Sequence, residues 1–150
     1  MAQKLETGLE LKSSAEQFLS LWKGRAHQVP DHTPSNIHAV HVHEGDWETS
    51  GCVLVWKYTI GGKKEEFKEK LIVDDENKKV TLIGLEGDVF NIYKVYNCIW
   101  ELTPKPQGSS TKVTLEYEKL NESVPAPDIY MDFVIKITKD MDQGINKASK

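Results

Sequence analysis

Pro125-Ala126-Pro127-Asp128-Ile129-Tyr130-Met131-Asp132-Phe133-Val134-Ile135-Lys136-Ile137-Thr138-Lys139-Asp140-Met141 is where the chain changes its period. Tyr130, Phe133, Val134, Ile137 and Met141 recur at spacings of three and four, which predicts an amphipathic helix of about four to five turns. Pro127 suits a first helical turn, and Asp128 favours the positive end of the helix dipole. Upstream the dominant period is two. Leu5, Thr7, Leu9 and Leu11 alternate with charged residues as a first strand. Further strands are expected over Ile37 to His43, Cys52 to Ile60, Phe67 to Val73, Val80 to Gly84, Val89 to Leu102 and Thr111 to Leu120. Gly61-Gly62, Asp74-Asp75-Glu76-Asn77, Glu86-Gly87-Asp88 and Pro104 to Gly108 supply the turns between them. After the first strand, Ser13 and Ser14 precede Glu16 and Gln17 by three residues, the spacing of capping boxes. Phe18, Leu19, Leu21 and Trp22 then form a short helical stripe ending near Gly24. The two prolines at 30 and 34 leave room for at most one brief further helix. The expected fold is α+β: a seven-stranded antiparallel sheet, two short helices, and one long C-terminal helix burying its stripe against the sheet's concave face.

The 150 residues fit a single domain, 1–150, large enough to bury a core without disulfides or a structural metal. A net charge of -4 with both signs interspersed argues against a nucleic-acid partner relying on a basic field. No stretch approaches the length of a membrane span, and the residues following Met1 have no apolar leader, so the expected location is cytoplasmic. Cys52 and Cys98 sit in apolar strand-like runs and are expected as buried free thiols. His41 and His43 share a strand face, but two imidazoles without a third ligand do not make a metal site.

Several local strings resemble the major latex protein branch of the Bet v 1 plant family. They are His27-Gln28-Val29-Pro30-Asp31-His32-Thr33-Pro34, His43-Glu44-Gly45-Asp46-Trp47, Trp56-Lys57-Tyr58, Asp74-Asp75-Glu76-Asn77-Lys78 and Tyr117-Glu118-Lys119-Leu120-Asn121-Glu122-Ser123. The resemblance spans the chain and implies the helix-grip fold, related to START domains, in which the curved sheet wraps the long helix around an apolar cavity closed by the two short helices. It also implies carriage of hydrophobic plant metabolites or, in some branches, hormone perception or specialised-metabolic enzymology. Relatives carry a glycine-rich loop after the second strand. The counterpart Glu44 to Gly51 keeps only Gly45 and Gly51 and lacks a lysine, so turn chemistry explains it better than phosphate binding. The receptor-type gate and latch loops are absent, their counterparts being Ile60-Gly61-Gly62-Lys63 and Leu85-Glu86-Gly87-Asp88.

A concave sheet opposed by one helix leaves space unless every facing side chain is large. Alternation and helical period place Trp56, Tyr58, Phe67, Leu71, Leu82, Tyr96, Cys98, Trp100, Val113, Leu115, Tyr117, Phe133, Val134, Ile137 and Met141 inward, some lining a cavity and the rest packing. Trp22 and Tyr130 join them as candidate ligand contacts, and the resemblance places His27 on the helical lid. Glu69 falls between Phe67 and Leu71 on the same face. There it requires a hydroxyl, water or ligand as partner, or else it sits at a solvated rim. Glu69, His27, Tyr96 and Tyr117 are the candidate acid–base groups, though no spacing singles out a catalytic pair. The expectation is a binding protein for small hydrophobic metabolites with no cofactor or metal. It is expected to be a monomer, with an edge strand or the Trp47 loop as the routes to a weak dimer. The alternative is a cofactor-independent cyclase, isomerase or lyase, or an auxiliary to one, acting on a reactive terpenoid or alkaloid intermediate.

Overall fold

The computed structural model describes residues 3–148; Met1 and Ala2, where the reading of the N-terminus began, lie outside it. The elements are β1 (Gln3–Leu11), α1 (Ala15–Trp22), a 3₁₀ turn (Ala26–Gln28) running into α2 (Val29–His32), β2 (Ile37–Glu44), β3 (Val53–Ile60), β4 (Lys63–Asp74), β5 (Lys79–Gly87), β6 (Tyr93–Pro104), β7 (Ser109–Lys119) and α3 (Asp128–Ala148). The strands form one antiparallel sheet in the order β1-β7-β6-β5-β4-β3-β2. Strands β2 to β7 are a meander, and β1 closes the far side by pairing along β7 from Gln3↔Tyr117 to Leu11↔Ser109. The curved sheet grips α3, whose Val134, Ile137 and Met141 are buried against it.

Several boundaries differ from the sequence reading: β4 starts at Lys63 and β5 runs to Gly87, through the turn expected at Glu86-Gly87-Asp88, and three further differences change the packing. The strand expected from Val89 begins only at Tyr93, because residues Asp88–Asn91 form a 3₁₀ turn with Val89 fully buried. Asp88 turns the chain there by accepting the Glu66 amide at 2.7 Å. Cys52 precedes β3 rather than opening it. Helix α3 runs for 21 residues, longer than the stripe from Tyr130 to Met141 predicts. Its later turns pack through Ile145, which continues the stripe four residues past Met141, together with Asp142 against the start of α1 and Gly144 against α2.

Ser14 caps α1 as its capping box requires. Its hydroxyl accepts the Gln17 amide, and the Gln17 side chain accepts the Ser14 amide. Ser13, the other expected cap, points elsewhere: its amide and hydroxyl both donate to Asp142 of α3, at 2.9 and 2.5 Å. Asp142 also accepts the Lys12 amide at 3.0 Å, so one carboxylate joins the end of β1 and the start of α1 to the long helix.

Helix α2 lies on α3 where Gly144 offers no side chain. A Cβ there would stand 2.0 Å from Nδ1 of His32. Burial pushes the His32 imidazole toward its neutral form, against the opposing pull of Asp31. Gly144→Ala is expected to cost about 1–2 kcal/mol by forcing His32 and the lid outward. In a His32→Ala background it should instead gain about 0.5–1 kcal/mol from helix propensity. Urea unfolding of the two single variants and the double variant checks the reversal of sign.

Candidate functional site

Strand alternation and the α3 stripe converge on an internal cavity between sheet and helix. Its walls hold three tryptophans (Trp22, Trp56, Trp100), three tyrosines (Tyr58, Tyr96, Tyr130) and two phenylalanines (Phe67, Phe133), with Ile37, Leu82, Cys98, Val134, Ile137 and Glu69 between them. The free space between these walls is small, about 60 Å³. The partly exposed residues Tyr130, Phe133 and Glu65 mark the open end, where β4 meets the first turns of α3.

A bulge in β5 shapes the wall around Glu69. Lys68 pairs with Glu86 but Glu69 pairs with Gly84, so Leu85 is the extra residue and turns out to solvent. Gly84 is required at this point, because a Cβ would stand 2.3 Å from the Tyr96 carbonyl oxygen and 2.7 Å from the Phe90 ring. Phe67 and Glu69, two residues apart in the regular stretch of β4 paired with β3, both face inward, and Glu69 is wholly buried. The solvated-rim alternative for this residue does not hold.

The polar atoms of the cavity fall into two groups. At the mouth, Tyr58 and Tyr130 both donate to Oε1 of Glu65, at 3.1 and 2.8 Å, and tie β3 and β4 to α3. Burial, followed by the nearby Glu65 carboxylate, pushes both phenols far above their ordinary range, so they remain protonated donors. On α3, Thr138 accepts the Trp100 indole N–H at 3.0 Å and donates to the Val134 carbonyl at 2.6 Å. The second group has no such partners: both carboxyl oxygens of Glu69 and the indole nitrogens of Trp22 and Trp56 are buried without a hydrogen bond among the described residues. Burial drives the Glu69 carboxyl toward its neutral form. The Trp56 N–H beside it works against that shift but makes no hydrogen bond of ordinary geometry. Burial, with the Glu69 charge as a smaller cause, likewise raises the Cys98 thiol, and burial raises the Tyr96 phenol, so neither supplies an anion.

Most of the residues expected from the sequence meet here. Trp22, Trp56, Tyr58, Phe67, Glu69, Leu82, Tyr96, Cys98, Trp100, Tyr130, Phe133, Val134 and Ile137 all line the cavity. Leu71, Leu115, Tyr117 and Met141 are buried but pack outside its lining, Tyr117 against the Tyr93 ring at 5.8 Å. His27 is exposed and stands edge-on to Trp47 at 5.1 Å, on the outer side of the lid. In the Glu44 to Gly51 loop, the Asp46 carboxylate accepts from the Glu48 amide and the Thr49 hydroxyl, so local turn bonds hold it. No group of three or more potential metal ligands is placed to hold an ion among the described residues.

The sequence reading missed Ile37, Glu65 and Thr138. Glu65 was within reach, because it extends the same-face alternation of Phe67 and Glu69. Ile37 was not, because an irregularity between Ile37 and Ala39 resets the faces of β2.

The family model for the pathogenesis-related protein Bet v 1 family matches residues 1–148. MLP-like protein 328 of Arabidopsis thaliana is 41% identical over 143 residues, covering 95% of each chain. The crystal structure of ginseng major latex-like protein 151 from Panax ginseng superposes with a TM-score of 0.90 at 34% identity, over 95% of this chain and 97% of that one. Norcoclaurine synthase from Thalictrum flavum, solved with dopamine and hydroxybenzaldehyde, shares the fold alone, with a TM-score of 0.77 at 21% identity over 98% of this chain and 88% of that one.

Proposed function

Because the chain belongs to the pathogenesis-related protein Bet v 1 family, we propose that its cavity binds and carries a small hydrophobic plant metabolite, in the cytoplasm and without a cofactor. The observation that carries this reading is an aromatic cavity holding buried polar groups that no protein atom satisfies. Each such group costs about 1–3 kcal/mol when left alone. A ligand with an apolar body and one or two polar atoms would remove those penalties and bury its own surface in the same step. The narrow free space favours a compact or flat ligand, or one that displaces α3 slightly on entry.

Val134 stands on the helical wall, is buried, and is among the smallest lining side chains. Val134→Phe should fill free space there and lower the affinity for the neutral fluorophore N-phenyl-1-naphthylamine by about 10-fold or more, equivalent to about 1.4 kcal/mol. Fluorescence titration checks this, and unaltered affinity would place the probe elsewhere.

The buried acid also favours a second reading, in which Glu69 passes a proton to or from a reactive ligand, as carboxyls raised toward neutrality do in apolar sites. Under that reading Glu69→Gln would abolish turnover of a labile precursor while leaving its binding nearly unchanged. Under the carrier reading only affinity would change.

A further inference from the structure

The charge inventory of the cavity is one-sided. Among the described residues Glu69 is the only carboxyl lining the interior, no lysine, arginine or histidine accompanies it, and the Glu65 carboxylate at the mouth is held by the Tyr58 and Tyr130 hydroxyls. The titratable groups facing it from the surrounding strands and helix are the Cys98 thiol and the phenols of Tyr58, Tyr96 and Tyr130, with the Cys52 thiol behind the wall. All of these are neutral at ordinary pH. Helix α1 contributes Trp22, and β5 contributes Leu82, neither of which carries a charge. An ionised Glu69 would therefore have no counter-ion among the described residues that line the cavity.

Ligand classes differ in how well they meet this arrangement. An acidic ligand would place a second anion beside the first, which is unfavourable in a dry site. A neutral alcohol can accept from the neutral carboxyl and donate to it, but it brings no charge to balance an ionised Glu69. An ammonium group offers up to three donors, enough for both oxygens of Glu69, and cancels its charge. Ring faces attract cations through their quadrupoles, and eight aromatic side chains surround the space. The Trp22 ring packs edge-on against Trp56 at 6.0 Å and tilted against Trp100 at 5.1 Å, so the three indoles form one contiguous aromatic wall. An ionised Glu69 would also be a stronger acceptor for the Trp56 N–H than the neutral acid.

We propose that the cavity selects a compact protonated amine with an apolar body, held by the Glu69 carboxylate within the aromatic box, and that its uptake expels one proton from the protein. The proton is the one that keeps the buried carboxyl neutral while the cavity lacks a cation. It leaves for solvent as the ammonium enters, so the charge within the wall stays balanced. This inference rests on the cavity being a ligand site and adds the chemical class of the ligand.

The test compares 2-phenylethylamine with its neutral counterpart 2-phenylethanol by calorimetric titration near pH 7, in two buffers of different ionisation enthalpy. The amine should bind at least about tenfold more tightly and release about one proton per molecule bound. Glu69→Gln, its fold verified by thermal melting, should weaken the amine at least about tenfold and abolish the proton release that accompanies its binding. Equal or tighter binding of the alcohol, or amine binding without proton release, would overturn the inference and leave the carrier reading standing. Failure of both compounds would also overturn it. If N-phenyl-1-naphthylamine failed as well, the carrier reading would fall with it.

Discussion

Glu69→Leu should unfold later than the parent chain, by about 2–4 kcal/mol near neutral pH, while losing ligand affinity. The gain follows from removing a fully buried carboxyl with neither oxygen hydrogen-bonded, and filling its place with apolar volume. Its pH dependence is more diagnostic than its size. In the folded chain burial raises the Glu69 pKa well above 4.5, so between 4.5 and the folded value the folded state holds a proton that the unfolded state has lost. The contribution of this group is fully present below about pH 4.5 and is lost as pH rises. The stability gap between Glu69→Leu and the parent should therefore widen with rising pH, by up to about 1.4 kcal/mol per unit until the folded carboxyl ionises. Urea titrations at several pH values from about 4.5 upward measure it. A gap that narrowed with rising pH would contradict the assignment. A site that costs stability and serves binding is the expected signature of function rather than packing.

The opposite effect is expected at Asp142. It is buried, and it accepts the Lys12 and Ser13 amides and the Ser13 hydroxyl, all from the junction between β1 and α1. Asp142→Ala leaves three donors without their acceptor, two of them on the fully buried Ser13. Hydrogen bonds to a charged group contribute about 1.5–3 kcal/mol, and orphaned buried donors add their desolvation cost, so a loss of about 3–5 kcal/mol is expected. Asp142→Asn, which keeps one acceptor oxygen, should lose roughly half as much. Thermal or urea unfolding ranks the variants. A loss below about 1 kcal/mol for Asp142→Ala would mean that solvent reaches the junction.

The order of these elements was legible because two periods do not mix. The alternation of Leu5 to Leu11 and the stripe from Tyr130 to Met141 each allow one assignment, and the glycine and aspartate turns between the strands fixed the meander. What escaped was local geometry. Val89 looks like the start of a strand because it is apolar and buried, but the Asp88 side-chain bond to β4 makes a 3₁₀ turn there, and such a long-range bond leaves no periodic trace. The same holds for Ser13, which the capping rule assigned to α1 and which Asp142 holds from 129 residues away. For the site, alternation placed Glu69 and its aromatic neighbours on the right face. It could not decide whether Glu69 was buried, since that depends on the Leu85 bulge and on how closely α3 approaches the sheet. His27 shows the limit of resemblance: a residue carried over with the lid can still sit on the lid's outer side.

The central claim, that a small molecule enters between α3 and the sheet beside Glu69, is tested most directly by the four tryptophan indole N–H signals in a ¹H–¹⁵N NMR titration with N-phenyl-1-naphthylamine or 2-phenylethylamine. Trp22 and Trp56 line the cavity with unpartnered N–H groups, Trp100 lines it with its N–H held by Thr138, and Trp47 packs on His27 outside. The expected result is a large saturable shift at Trp22 and Trp56, a smaller one at Trp100 and none at Trp47. A titration in which Trp47 moves while Trp22 and Trp56 stay fixed, or in which none of the four responds, would contradict it.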